Sequence, residues 1–246
     1  MLPCAILCGG LATRLRPITE KIPKSLIPIN GEPFIAHQLR LLRSNDVEKI
    51  VLCVGHLGEM IQKFVGPGTD YGLRVSYSFD GAQLLGTAGA IRKALPLLGE
   101  PFFVLYGDSY LTCNYGEVAE AFSSSNSDAL MTIYRNEDRF DTSNVEADRG
   151  LILRYDKRNR VSRMHHIDYG LSAFKQSIFR ELPENEVSDL SELCQKLAAS
   201  GQLAGYEVKE RFYEIGSEKG IQDLERYLTE SDTRKEKQSG QTATKI

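Results

Sequence analysis

The densest group of chemically useful residues lies directly behind the first apolar run of the chain. Residues 8–17 combine two glycines with Arg14 and Arg16, and Lys24 follows shortly after. Small residues let backbone N–H groups approach an anion closely, and the cations supply charge against phosphate. The spacing matches neither GxGxxG nor GxxxxGK[ST]. The segment therefore predicts a nucleotide held by a phosphate-binding loop of another type.

Two carboxylates follow apolar segments far apart in the chain. Asp108 comes after the apolar run 102–105, and Glu214 lies between apolar residues just before a glycine. In open α/β sheets ligands bind outside the carboxyl ends of strands, so Asp108 suits a metal ligand. A turn or a helix cap is the alternative for Asp108, and an exposed strand face is the alternative for Glu214. Together they would suit magnesium bound to phosphates, because that ion takes few protein ligands.

Three further segments mix small, polar and aromatic residues at predicted element ends. Residues 84–90 form a small-residue turn into a helix, where a flat nucleobase could lie against the backbone; plain helix–sheet packing is the alternative. Residues 155–157 and 166–170 place acceptors, a cation and an aromatic ring at strand ends, which suits a polyhydroxylated ligand. Ordinary strands with a solvated polar face are the alternative there. No histidine is assigned a catalytic role.

These segments need a scaffold, and hydrophobic periodicity predicts one. Continuous apolar strands separated by amphipathic helices predict a mostly parallel sheet that is covered on both faces. Predicted strands cover residues 5–7, 49–54, 75–79, 102–105, 129–135, 151–155 and 167–174, and predicted helices cover 34–45, 59–64, 86–98, 190–199 and 220–228.

Composition narrows the class of protein. The chain has 246 residues and a net charge of −3, which argues against a nucleic-acid binder with a broad basic face. No run approaches about 20 apolar residues, so no membrane span is expected, and the N-terminus lacks the charged region of a signal peptide. Five scattered cysteines suit buried core positions in a reducing compartment, which predicts the cytoplasm. Residues 231–246 hold almost nothing apolar and are predicted to be disordered.

Taken together, the segments resemble the sugar-1-phosphate nucleotidylyltransferases, also called NDP-sugar pyrophosphorylases. The family loop G-G-x-G-T-R-L-x-P-[LI]-T is matched by residues 9–19, and its P-K pair by residues 23–24. The family turn L-G-T-A-G-A is matched by residues 85–90. The G-D, E-K, N-x-G and D-I-G-T motifs correspond to residues 107–108, 156–157, 168–170 and 214–217. The resemblance spans residues 3 to 230 in the right order and is closest to the single-domain heptose- and mannose-1-phosphate guanylyltransferases.

The resemblance implies a three-layer α/β/α fold, Rossmann-like and GT-A-like, with a mixed, mostly parallel central sheet. It implies one domain over residues 1–230, with a nucleotide-binding half at 1–113 and a sugar-phosphate-binding half at 114–230. The implied reaction joins a nucleoside triphosphate and a sugar 1-phosphate into an NDP-sugar and pyrophosphate, with Mg²⁺ as cofactor. No nucleic-acid or membrane partner is implied, and a homodimer is left open.

The resemblance also assigns roles to individual residues. Arg14 would grip the triphosphate and stabilise the leaving pyrophosphate, Lys24 would draw the two phosphates together, and Arg16 would support them. Asp108 and Glu214 would hold Mg²⁺, with Asp108 counted among the catalytic residues. Nucleotide contacts would come from Leu7, Gly9, Gly10, Thr13, Arg14, Gln83, Gly86 and Thr87, and sugar-phosphate contacts from Lys24, Asp156, Lys157, Asp168, Tyr169 and Gly170.

Three positions depart from the family pattern, and two alternatives remain. Ala12 stands where the loop has a second glycine, so a positive φ there would be strained. Glu214 replaces Asp, and Asp168 replaces the common Asn. One alternative is a uridylyltransferase for an amino-sugar or N-acetylmuramic acid 1-phosphate. The other is a sugar-nucleotide-binding regulatory homologue without activity, which predicts the loss of the arginine or of the metal ligands.

Overall fold

The computed structural model describes the backbone of residues 1–243 and the side chains of residues 1–231, 233 and 234. Its strands are β1 (Cys4–Leu7), β2 (Pro28–Ile29), β3 (Glu32–Pro33), β4 (Lys49–Val54), β5 (Arg74–Phe79), β6 (Phe102–Tyr106), β7 (Ser109–Leu111), β8 (Ala129–Arg135), β9 (Val145–Asp148), β10 (Leu151–Tyr155), β11 (His166–Phe174), β12 (Leu203–Val208) and β13 (Phe212–Glu214). Its helices are α1 (Phe34–Ser44), α2 (Gly58–Val65), α3 (Gly86–Ala94), α4 (Tyr115–Ser124), α5 (Gln176–Arg180), α6 (Leu190–Ala199) and α7 (Glu218–Ala243).

A nine-stranded mixed sheet forms the centre of the described chain, in the order β5-β4-β1-β6-β11-β8-β12-β10-β9. The first four strands in this order run parallel, and their register places Leu7 beside both Cys53 and Tyr106. β11 then runs antiparallel to both of its neighbours, β6 and β8. The predicted mixed sheet is confirmed. Its parallel pairings lie among β5, β4, β1 and β6 and in the β8–β12 pair.

Helices cover both faces of the sheet and bury a separate apolar cluster on each. The first face packs against α1, α2 and α4, where Ile35, Leu39 and Leu42 of α1 are fully buried as their spacing predicts. The second face packs against α3, α5 and α6. This arrangement confirms the three-layer α/β/α architecture.

The last helix packs outside the main sheet. Leu224 and Leu228 of α7 pack with Ile29, Phe34 and Ile215 in a third apolar cluster. α7 continues to Ala243, and so extends into residues 231–246, for which the composition predicts disorder. Once packing has formed the first turns of a helix, each further residue that is fixed adds one backbone hydrogen bond. The helix can therefore extend beyond its packing contacts. Residues 244–246 of that segment lie outside the described residues, and the division of 1–230 into two halves stays a prediction.

All five cysteines are buried free thiols. Burial, with Asp108 adding to it, raises the pKa of Cys8 to about 12. These thiols are therefore unreactive core residues, as the sequence predicts. Within the described residues, no helix is long and apolar enough to cross a membrane.

Candidate active site

A cavity of about 390 Å³ opens at the carboxyl edge of the parallel strands. This is the edge at which an open α/β sheet binds its ligands. Many of the residues predicted from the sequence line this cavity: Leu7, Gly9, Gly10, Thr13, Arg14, Lys24, Gly86, Thr87 and Asp108. The tertiary structure therefore brings the phosphate loop, the lysine, the small-residue turn and the first carboxylate into one site.

The phosphate loop leaves β1 and turns back over the cavity. A Cβ at Gly9 would lie 3.1 Å from the backbone nitrogen of Gly55, so this position has little room for a side chain. Ala12 has φ 47° and ψ 47°, the left-handed conformation that a glycine would adopt without strain. Thr19 supports this turn by donating from Oγ1 to the carbonyl of Ala12 at 2.9 Å. The loop thus presents Arg14 at the cavity.

Lys24 and Asp108 form an ion pair inside the cavity. Lys24 Nζ lies 2.5 Å from Asp108 Oδ2, and both side chains are more than half buried. The turn that carries Asp108 is held by Gln38 of α1, whose Nε2 donates to the carbonyls of Tyr106 at 2.9 Å and Ser109 at 2.8 Å. Gln38 is fully buried and was not singled out by the sequence. It fixes the backbone on both sides of Asp108.

Glu214 reaches the same site from the far end of the chain. β13 pairs with β7, so that Glu214 lies opposite Ser109, and the Ile215 N–H donates to the Asp108 carbonyl at 3.0 Å. Burial raises the pKa of the Glu214 carboxyl, and the Asp108 charge raises it further. Lys24 and Arg14 lower that pKa, so both cations lie close enough to act on Glu214. Glu214 itself lines a second, smaller cavity together with Phe212 and Tyr213.

The donor set fits Mg²⁺ and does not form a complete protein cage. The described residues contain no cluster of three or more His, Cys, Asp or Glu side chains that could hold a metal ion. Mg²⁺ is commonly bound by one or two carboxylates together with substrate phosphates. The repulsion between Asp108 and Glu214 is relieved by any cation placed between them, and here Lys24 supplies part of that charge.

A third carboxylate, which the sequence reasoning missed, lies at the opposite end of the cavity. Asp80 directly follows β5, and its residue is only 7% exposed. Its Oδ2 accepts the Leu85 N–H at 3.2 Å, and its Oδ1 makes no hydrogen bond within the described residues. Burial raises the pKa of this carboxyl. The signal was available: Asp80 follows a strand at the same sheet edge as Asp108.

The small-residue turn at the start of α3 is packed beneath residues 185–190. The Ser188 carbonyl accepts N–H groups from Ala88 at 2.9 Å and Gly89 at 3.3 Å, and the Leu190 N–H donates to Thr87 Oγ1 at 2.7 Å. A Cβ at Gly86 would lie 2.6 Å from the Ser188 carbonyl oxygen. The backbone N–H groups of Ala88 and Gly89 are therefore already hydrogen-bonded within the protein. One side of the turn still lines the cavity, through Gly86 and Thr87.

Gln83 lies apart from the cavity lining. Its Nε2 donates to the Asn185 carbonyl at 3.1 Å on the exposed side of the same turn. Gln83 therefore does not line the cavity, and the base contact predicted for it stays a prediction. Arg16 also lies outside the lining, with its guanidinium 3.9 Å from Glu20 on the surface.

The predicted sugar-side residues divide into two groups. Asp168 is buried and accepts from the Tyr155 hydroxyl at 2.9 Å and from the Gly170 N–H at 3.0 Å, while Lys157 Nζ lies 3.7 Å away. Lys157 also lies over the ring of Tyr106, which lines the cavity. Asp168 and Gly170 therefore orient Lys157 beside the cavity.

Two of the residues predicted to contact the sugar phosphate do not line the cavity. Tyr169 points to the opposite face of the sheet, because neighbouring residues of a strand alternate, and it is 2% exposed against Phe212. Asp156 accepts the backbone N–H groups of Arg158 and Asn159, each at 2.8 Å, and caps an exposed turn. Neither side chain faces the cavity.

The family model for nucleotidyl transferases matches residues 4–231 of this chain. The chain belongs to the nucleotidyl transferase family. Its relatives include the mannose-1-phosphate guanylyltransferase catalytic subunit beta of Xenopus tropicalis, 29% identical over 87% of this chain and 61% of the relative. Another is the D-glycero-alpha-D-manno-heptose 1-phosphate guanylyltransferase of Campylobacter jejuni, 27% identical over 78% of this chain and 84% of the relative.

Two further comparisons concern a shorter stretch and the fold. The N-acetylmuramate alpha-1-phosphate uridylyltransferase of Neisseria meningitidis is 38% identical over 48% of this chain and 52% of that protein. The crystal structure of HddC from Yersinia pseudotuberculosis complexed with GMP-PN superposes with a TM-score of 0.80 at 24% identity, over 93% of this chain and all of HddC. That likeness shows that this nucleotidyl transferase shares the fold. The chain spans less than two thirds of the length of the mannose-specific relative.

Proposed function

We propose that this nucleotidyl transferase condenses GTP with a mannose- or heptose-type sugar 1-phosphate, giving a GDP-sugar and pyrophosphate. A phosphate oxygen of the sugar 1-phosphate attacks the α-phosphorus of GTP, and the bond from that phosphorus to the β-phosphate oxygen breaks. No covalent enzyme intermediate is required. Catalysis then rests on positioning and on neutralising charge.

The observation that carries the reaction class is that Arg14, Lys24 and Asp108 line one cavity, and that Glu214 lies beside it, where the charges of all three act on its carboxyl. Arg14 binds the triphosphate and stabilises the departing pyrophosphate. Lys24 exchanges Asp108 for the phosphates and draws the attacking and attacked groups together. Asp108 and Glu214 would hold Mg²⁺, which neutralises phosphate charge when bound. The regulatory alternative predicts the loss of these groups, and all four are present.

The observation that favours GTP is the carboxylate of Asp80 at the far end of the cavity. Guanine presents two donors on one edge, N1–H and the N2 amino group, and a carboxylate oxygen accepts from both. Uracil presents one donor between two acceptors, which a carboxylate matches less well. Asp80 Oδ1, which does not bond the Leu85 N–H, is therefore able to accept hydrogen bonds from the donor edge of guanine. The mannose and heptose guanylyltransferases among the relatives support the same choice.

A substrate panel tests this proposal. Purified protein is incubated with Mg²⁺, pyrophosphatase and each nucleoside triphosphate, paired with the 1-phosphates of mannose, heptose, glucose and N-acetylmuramic acid. We expect phosphate release with GTP and a manno-configured sugar. Turnover with UTP and N-acetylmuramic acid 1-phosphate would instead support the uridylyltransferase alternative, and no turnover with any pair would contradict the proposed reaction.

Asp108→Ala tests the assignment of the site itself. Loss of this carboxylate should lower kcat at least about a hundredfold, because it removes a group that positions charge against the reacting phosphates. Asp128→Ala is the matched control, since its carboxylate pairs with Lys175 outside the cavity lining. A folded Asp108→Ala protein with near-normal turnover would contradict the assignment. Lys24→Ala should raise the KM for sugar 1-phosphate more than the KM for GTP.

A further inference from the structure

The last residue of β6, Tyr106, lies between the two halves of the site. The strand register places it beside Leu7, which in turn lies beside Cys53, and all three side chains line the cavity. Gln38 fixes the Tyr106 backbone by donating to its carbonyl. The ring therefore occupies a fixed place two residues before Asp108.

The same ring contacts the cluster of side chains beyond the cavity. Lys157 Nζ lies 5.2 Å from the centroid of the Tyr106 ring and 5.7 Å from that of Tyr155. Asp168 holds this lysine from the other side at 3.7 Å. Tyr106 thus lies between the cavity and a cluster formed by Lys157, Tyr155 and Asp168. Two substrates that occupied the cavity and this cluster would meet at its ring.

Few polar groups in this cluster remain able to bind a ligand. Both oxygens of Asp168 are already engaged, one by the Tyr155 hydroxyl and the other by the Gly170 N–H. The Tyr106 hydroxyl makes no hydrogen bond within the part of the chain that the structure describes, and the Lys157 side chain is about half exposed. A tyrosine hydroxyl is both a donor and an acceptor, so this group can bind a hydroxyl of a ligand.

We propose that Tyr106 is a specificity-determining residue for the sugar 1-phosphate: its ring forms the floor on which one face of the pyranose packs, and its hydroxyl donates to a sugar hydroxyl. The inference rests on the proposed function and deepens it. The substrate class that fits is a pyranose 1-phosphate whose phosphate lies toward Lys24 and whose ring covers Tyr106. Lys157 stands over the same floor and supplies the cationic side of the subsite.

Two substitutions separate the ring from the hydroxyl. Tyr106→Phe keeps the ring and removes one neutral hydrogen bond, so the KM for sugar 1-phosphate should rise about three- to tenfold while the KM for GTP stays within about twofold. Tyr106→Leu also removes the aromatic floor and should raise the sugar KM by about a further tenfold. Tyr206→Phe is the matched control, because its hydroxyl bonds Glu117 on another surface.

A set of deoxy sugar 1-phosphates identifies the contact. The wild-type protein should discriminate against one deoxy analogue by about three- to tenfold, and Tyr106→Phe should lose that discrimination while keeping the others. Unchanged sugar KM in both Tyr106 variants, or a rise in the KM for GTP alone, would overturn the inference.

Calorimetric binding keeps this test separate from the proposed reaction. The sugar 1-phosphate is titrated into wild-type and variant proteins in the presence of a GTP analogue whose α,β-bridging oxygen is replaced, so that the proposed reaction cannot occur. Binding that weakens in the Tyr106 variants supports the inference even if no turnover is observed, and in that case only the proposed reaction fails. Absence of binding to any sugar 1-phosphate in the wild-type protein would overturn both.

Discussion

Asp80→Asn is the sharpest test of how this protein selects its nucleotide. The Leu85 N–H donates to one oxygen of Asp80, so the amide that replaces the carboxylate must turn its own oxygen toward Leu85. Its NH₂ group then faces the base. A donor would stand where guanine also presents donors, and the loss would combine a missing hydrogen bond with a repulsive contact.

The size of the effect follows from the type of hydrogen bond. A bond to a charged acceptor contributes about 1.5–3 kcal/mol, which is about 10- to 150-fold in kcat/KM. Asp80→Asn should therefore lower kcat/KM for GTP by at least about 10- to 150-fold, because the repulsive contact of the new NH₂ group adds to the lost hydrogen bond. Inosine triphosphate lacks the N2 amino group, so the wild-type protein should prefer GTP over it by about 10- to 100-fold, and Asp80→Asn should abolish that preference.

The assay measures kcat/KM for both nucleotides at saturating sugar 1-phosphate by pyrophosphate release. Asp70→Asn is the control, because Asp70 is an exposed carboxylate outside the cavity lining. Burial raises the pKa of Asp80, so its ionised form is disfavoured in the fold and the amide should not lower the thermal midpoint at pH 7. An unchanged GTP-to-inosine-triphosphate ratio in Asp80→Asn would refute guanine recognition by this carboxylate.

Three further predictions concern the support of the site. Gln38→Met leaves the carbonyls of Tyr106 and Ser109 without their donor, so the free energy of unfolding should fall by about 1–3 kcal/mol and the Mg²⁺ concentration for half-maximal activity should rise. A variant with wild-type values in both measurements would contradict the positioning role of Gln38. Ala12→Gly removes a left-handed strain of about 1–2 kcal/mol and adds unfolded-state entropy, so urea unfolding should show a gain of up to about 1 kcal/mol, whereas a clear loss would contradict the strain. The pKa of Glu214 is raised in the metal-free fold, so the free energy of unfolding should fall as pH rises from the pKa of Glu214 in the unfolded chain through its higher pKa in the folded protein. Glu214→Gln should flatten that part of the pH–stability curve, and an unchanged slope would contradict the burial of this charge.

Local pattern determined much of the scaffold. Apolar runs placed β4, β8, β10 and α6 at their observed bounds, because a buried strand or an amphipathic helix requires that periodicity. The strand β12 and the helix α4 were missed. β12 contains a glycine and a glutamate and is fixed by its pairing with β8, while α4 begins at the Asn114 cap rather than at a strong apolar pattern.

The sequence by itself determined the chemistry of the reacting end of the site. Arg14, Lys24, Asp108 and Glu214 lie in short motifs that, together with the family resemblance, indicate phosphate and metal binding. The fold brings the first three to one cavity and Glu214 beside it. Only the tertiary structure decided which carboxylates and rings are free to bind a ligand. Asp168 is engaged by Tyr155, Asp156 caps a turn and Tyr169 faces the other side of the sheet, whereas Asp80 and Tyr106 line the cavity. The physical reason is that residue type fixes what a group can bind, while strand register and the partners brought by distant segments decide whether that capacity is already used.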